Sequence, residues 1–96
     1  MIRTFGNALA EDLFNDRASR AVRQFPPALR ANARPKLQML DDAETLEVLA
    51  ALPGNRFEKL KGDRKGHYSI RINDQWRVVF RWQDGNALNV SIEDYH

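Results

Sequence analysis

The sequence predicts an α+β fold in which N-terminal helices pack on one face of a small, mainly antiparallel β-sheet. Three observations carry this. Apolar residues recur at intervals of three and four through the first half, as in Leu29, Ala33, Leu37 and Leu40. From Arg56 onward the period changes to two. Two turn signals, Asn73-Asp74 and Asp84-Gly85, divide that second half into strands. A period near 3.6 marks the buried stripe of a helix, and a period of two marks a strand with one face in the core.

Ile2-Arg3-Thr4-Phe5 reads as a short first strand. Asn7 is placed to cap a helix running to about Arg17, with Glu11 and Asp12 near its positive end and Leu9 and Leu13 on one face. Pro26-Pro27 opens a second helix, where a missing N–H costs no hydrogen bond. Pro35 lies within its apolar stripe and is expected to kink or split it. Leu46 and Leu49 suit one further short helical turn, which Pro53-Gly54 ends. Tyr68, Ile70 and Ile72 then alternate with His67, Ser69 and Arg71. Trp76, Val78, Phe80 and Trp82 alternate with Arg77, Val79 and Arg81. Leu88, Val90 and Ile92 alternate with Asn89, Ser91 and Glu93. This is an antiparallel meander with one apolar and one polar face, and the helices must cover the apolar one. The Trp76, Phe80 and Trp82 stripe therefore belongs to the core.

Residues 1–96 fit a single domain, and at 43% hydrophobic residues the chain can bury a core. The absence of cysteine excludes disulfides and thiol chemistry. With two histidines, His67 and His96, no metal site is expected, and no cofactor. No apolar run reaches the roughly twenty residues of a membrane span, and Met1-Ile2-Arg3-Thr4-Phe5 lacks the apolar core of a signal peptide, so a cytoplasmic protein is expected.

The net charge of +2 is unevenly spread. Residues 1–53 carry seven basic and seven acidic groups. Residues 54–81 carry eight basic against three acidic, and residues 82–96 carry three acids and no Lys or Arg. A basic stretch taken alone is a solvated surface. Here, strand alternation gathers Arg71, Arg77, Arg81 and Tyr95 on the open face of the sheet with His67 and Ser69. Guanidinium groups bind phosphate bidentately, and a tyrosine can stack on a base or move a proton, so the face suits an RNA backbone.

Three stretches in order, Leu60-Lys61-Gly62-Asp63-Arg64-Lys65-Gly66-His67-Tyr68-Ser69-Ile70, Asn73-Asp74-Gln75-Trp76-Arg77 and Glu93-Asp94-Tyr95-His96, resemble the HigB toxins of the RelE/ParE superfamily. The resemblance implies two N-terminal helices on a small antiparallel sheet. It implies a toxin of a type II toxin–antitoxin system that is a ribosome-dependent mRNA endoribonuclease. It also implies a HigA-type helix-turn-helix antitoxin as partner, with promoter DNA reached only through that antitoxin. A non-enzymatic poison of a protein target such as DNA gyrase, as in ParE members, is the competing reading, with a degenerate homologue that only binds RNA or its antitoxin as a third. The Asp-Tyr-His ending argues against the gyrase reading.

RNA can be cleaved by its own 2′-OH, given a base, an acid for the leaving 5′ oxygen, and cations against the developing phosphorane charge. Tyr95 and His96 match catalytic positions of the family, with Asp94 beside them. Some members carry a catalytic histidine two residues before the leucine matching Leu60, where this chain has Glu58, a carboxylate able to serve as base. Lys61, Arg64, Arg71 and Arg77 are the residues expected to hold phosphate. Arg81 is expected to be plain surface, and strict alternation turns Asp94 and His96 away from the face that bears Tyr95.

Overall fold

The computed structural model describes residues 1–94. Four helices, α1 (Ala8–Phe14), α2 (Arg20–Gln24), α3 (Pro27–Asp42) and α4 (Leu46–Ala50), precede four strands, β1 (Glu58–Lys59), β2 (His67–Arg71), β3 (Trp76–Gln83) and β4 (Asn86–Asp94). The strands form one antiparallel sheet in the order β1-β2-β3-β4. This is the α+β arrangement expected from the sequence.

Asn7 caps α1 as expected, its side chain accepting from the Ala10 N–H at 3.1 Å. The same side chain donates to the Ile92 carbonyl at 2.9 Å, which ties the first helix to the last strand. α1 stops at Phe14, short of the expected Arg17, because Asp16 turns into the left-handed region at φ 55° and the Asn15 amide donates back to the Glu11 carbonyl. The sequence reading missed α2, which is a single turn capped by Ser19 and anchored by buried Val22. Its apolar positions are too few to show a period.

α3 begins at Pro27 and runs unbroken through Pro35 to Asp42, so the expected split does not occur. Pro35 withholds one helical N–H, but Ala33, Leu37 and Leu40 on either side of it are fully buried. Burying such a side chain contributes about 1.5–3 kcal/mol, which is enough to hold the helix together across one missing bond. Thr45 caps α4, the short turn expected around Leu46 and Leu49.

The sheet's inner face contributes Ile70, Val78, Phe80, Ala87, Val90 and Ile92 to one core with the helices. Trp76 and Trp82 pack on its rim, the former edge-on to Phe25 at 5.0 Å. One expectation for this face is corrected. Between Val79↔Ser91 and Arg81↔Leu88, β4 holds one residue more than β3, with Asn89 at φ 52°. This β-bulge reverses the alternation, so Ala87 rather than Leu88 enters the core and Leu88 lies beside Arg81 on the other face.

Residues 2–5 make two isolated parallel bridges, Ile2↔Ala87 and Phe5↔Val90, in place of a full strand. Backbone bonds from Ala87 N to Met1 O (2.9 Å) and from Val90 N to Thr4 O (3.0 Å) close the outer edge of β4. Thr4 Oγ1 accepts from the N–H of the bulged Asn89 at 2.8 Å. Gly6 completes the seal by its lack of a side chain, since a Cβ there would meet the Asn89 carbonyl oxygen at 2.8 Å. Among the described residues no helix is long and apolar enough to cross a membrane.

Candidate functional site

Strand register arranges the sheet's second face in rows. Arg71, Arg77 and Glu93 form one row; Glu58, Ser69, Val79 and Ser91 form the next; His67, Arg81 and Leu88 form the third. The face was expected to be open, and its centre is not. Ser69, Arg77, Val79 and Ser91 are all buried, with Arg77 only 7% exposed. Arg77 reaches Ser69 and Glu93 reaches Ser91 in the middle row.

A buried guanidinium is tolerable only with its donors satisfied. Arg77 Nε donates to Ser69 Oγ at 2.8 Å, Nη2 donates to the Arg56 carbonyl, and Nη1 lies 3.6 Å from Glu58 Oε1. Arg77 therefore acts as a scaffold that fixes Glu58 and the Arg56 backbone rather than as an outstretched phosphate ligand. Arg56 takes φ 44° to present its carbonyl to Arg77, an uncommon backbone state for a non-glycine residue.

Beside this array lies a groove of about 260 Å³ lined by Arg56, Glu58, Arg71, Asn73, Asp74 and Arg77. Arg56 is exposed and Arg71 is half-buried, its guanidinium paired with the exposed Asp74. Glu58 is half exposed and lines the same groove. The groove thus offers an anion the exposed Arg56 and, in exchange for Asp74, the Arg71 guanidinium, next to a carboxylate ion-paired with Arg77. Such an arrangement can neutralise a phosphate and remove a proton beside it.

A second cluster lies at the other end of the Glu93 row. Arg64 holds Glu93 bidentately at 2.9 and 2.7 Å, and Ser91 Oγ donates to the same carboxylate at 2.6 Å. The Arg64 guanidinium keeps the Glu93 carboxyl below the usual carboxylate range; burial opposes this and the Ser91 hydroxyl assists it. The His67 ring Nδ1 is 3.2 Å from the Arg64 carbonyl.

Of the residues singled out from sequence, Glu58, Arg71 and Arg77 come together in the groove. Arg64 is engaged by Glu93 instead. Lys61 is exposed in a separate hollow with Lys59 and Lys65. Asp94 pairs with Trp76 in register, on the inner-face side of the strand as alternation requires, and accepts from Gln75 Nε2 at 3.0 Å. Tyr95 and His96 lie outside the described residues. Arg56 and Glu93 were missed; Pro53-Gly54-Asn55-Arg56 was available as a turn signal ending on a cation, but nothing in it predicts that its carbonyl receives Arg77.

Comparison with known proteins gives the family and the fold. Residues 3–96 match the family model of HigB-like toxins, described as the RelE-like toxin of type II toxin–antitoxin system HigB. The chain is 37% identical over 95 residues to toxin HigB-1 of Vibrio cholerae serotype O1, covering 99% of this chain and 98% of that one. It is 42% identical over 65 residues to the endoribonuclease HigB of Proteus vulgaris, covering 64% of this chain and 65% of the relative. Among solved structures, the YoeB–YefM complex of Staphylococcus aureus shares the fold, with a TM-score of 0.61 at 22% identity over 100% of this chain and 98% of the other. The YoeB dimer of the same organism gives a TM-score of 0.59 at 21% identity, covering 99% and 97%.

Proposed function

Since the chain belongs to the HigB-like family, RelE-like toxins of type II toxin–antitoxin systems, we propose that it is an endoribonuclease cutting messenger RNA on the ribosome, and that its active groove is the one lined by Arg56, Glu58, Arg71 and Arg77. The observation that carries this reading is one groove lined by the Glu58 carboxylate together with Arg56 and Arg71, with the buried Arg77 ion-paired to Glu58.

In the proposed reaction the RNA 2′-OH gives its proton to a base and attacks the adjacent phosphorus. The P–O5′ bond breaks, and the leaving 5′ oxygen takes a proton from an acid. The products are a 2′,3′-cyclic phosphate and a 5′-OH. Glu58 is the candidate base, set by Arg77 beside the phosphate site. Arg71, with Arg56, neutralises the phosphorane, a charge that develops at the transition state and is best met by cations already in place. Tyr95 and His96, which match catalytic positions of the family, supply the acid, with Asp94 beside them in sequence. Lys61 and Arg64 extend the cationic path for the message, Arg64 after exchanging Glu93 for a phosphate.

As a type II toxin the protein is paired with an antitoxin. We assign that role to a HigA-type helix-turn-helix protein, through which alone the toxin reaches promoter DNA, and place the pair in the cytoplasm with the ribosomes. Primer extension on a message in a reconstituted translation system tests the proposal. Wild type should cut, while Arg71→Met and a Tyr95→Phe/His96→Ala double variant should each lose on the order of 10²–10⁴-fold. Equal cutting of naked and translated message would remove the ribosome from the mechanism, and undiminished cutting by Arg71→Met would remove the groove.

A further inference from the structure

The turn Pro53–Asn55 leads directly into Arg56, and its last side chain is wholly buried. Asn55 donates through Nδ2 to the Leu49 carbonyl at 3.0 Å and to the Met39 thioether at 3.2 Å. Its amide orientation is thereby fixed, leaving Oδ1 to accept from Lys36 Nζ at 2.5 Å. The dipeptide Asn55-Arg56 therefore joins three cations. The Asn55 side chain holds Lys36 of α3, the Arg56 carbonyl holds Arg77 of β3, and the Arg56 side chain lines the groove with Arg71.

Burial pushes the Lys36 ammonium below the usual lysine range, and the charge of Arg71 adds to it. Among the described residues no carboxylate forms an ion pair with it. Arg71 carries Asp74 as its counterion while Lys36 has none of its own. The Lys36 charge therefore stands beside another cation at a cost in free energy, and the Asn55 contact keeps it in place. An anion bridging them relieves that cost. A lysine carries three N–H donors, and Asn55 takes one.

We propose that Lys36 is a phosphate-binding residue, taking the RNA phosphate next to the one held by Arg56 and Arg71, so that the message passes from the sheet groove onto the edge of α3. The inference rests on the RNA-cleaving reading above. It adds a contact from the helical layer that neither the charge-rich second half nor the Asp-Tyr-His end reveals.

Binding of a 2′-O-methyl single-stranded RNA, which cannot be cleaved, is measured by fluorescence anisotropy from 50 to 200 mM salt. Wild type is compared with Lys36→Met, which keeps the stem, and Lys36→Arg, which keeps the charge. One phosphate contact on a single strand changes the slope of log affinity against log salt by about 0.7. Lys36→Met is therefore expected to bind more weakly with that shallower slope, so that the wild-type advantage shrinks about 2.6-fold across the range. Lys36→Arg should restore both. Lys36→Met also leaves the buried Asn55 Oδ1 without its donor and should melt lower. Binding is therefore read well below every melting temperature, where the salt slope reports the phosphate contact and not stability. Wild-type affinity and slope in Lys36→Met overturn the inference. So does a loss of affinity with the wild-type slope, or one that arginine does not restore. Failure of the wild type itself to bind at 50 mM salt refutes the RNA reading of the groove, a result separable from either.

Discussion

Replacing Arg77 with methionine tests the claim that this residue is a scaffold. The variant keeps a flexible apolar stem and removes every donor. Ser69 Oγ, fully buried, loses the Nε contact at 2.8 Å, and the Arg56 carbonyl loses Nη2. A buried polar atom left without its partner costs about 1–3 kcal/mol. Glu58 is half exposed and contributes less than about 1 kcal/mol. Against these losses, the variant no longer buries a guanidinium, which recovers part of the desolvation cost. The net is about 2–3 kcal/mol, roughly 8–24 °C in melting temperature for a chain of this size. Urea unfolding followed by the fluorescence of Trp76 and Trp82 reads it directly. Arg77→Lys should lie close to Arg77→Met, because one ammonium cannot span both Ser69 and the Arg56 carbonyl. A Ser69→Ala/Arg77→Met cycle should show coupling above about 0.5 kcal/mol. A methionine variant within about 0.5 kcal/mol of wild type, or an additive cycle, would refute the scaffold argument.

Two smaller predictions follow from the last strand. Glu93 has a folded-state pKa lowered chiefly by Arg64, so its contribution to stability is complete above the ordinary carboxylate value and is lost as pH falls through the lowered one. The stability advantage of wild type over Glu93→Gln, below about 1 kcal/mol because both partners are partly exposed, should therefore be constant near neutrality and vanish in strong acid; an advantage that grows on acidification contradicts the assignment. Asn89 sits at φ 52° in the bulge, so Asn89→Val should lose about 1–2 kcal/mol or more while Asn89→Gly is nearly neutral, and equal urea midpoints for the two would remove the left-handed requirement.

Most of the fold was legible because its signals are local. Asn7, Pro27 and Thr45 start their helices by chemistry contained within a few residues, and alternation marks all three long strands. The failures are of another kind. Pro35 was outvoted by burial on both sides, and Leu88 was misplaced because one left-handed asparagine reverses a period of two. The site was half legible. Register places Arg71, Arg77 and Glu58 together, and alternation alone finds the first two. That Arg77 is buried, that Arg64 belongs to Glu93, and that Lys36 reaches across from a helix depend on contacts between residues 19 to 29 positions apart, which no periodicity encodes.

The bond between Asn7 and Ile92 spans 85 positions, and the bridges from Ile2 and Phe5 to β4 join equally distant parts of the chain. During synthesis, α1 is therefore made long before the strand that completes its packing. Contacts so remote in sequence form late and slowly, since their loop must close before they contribute anything. The nascent chain consequently lacks its finished cationic face until β4 has emerged.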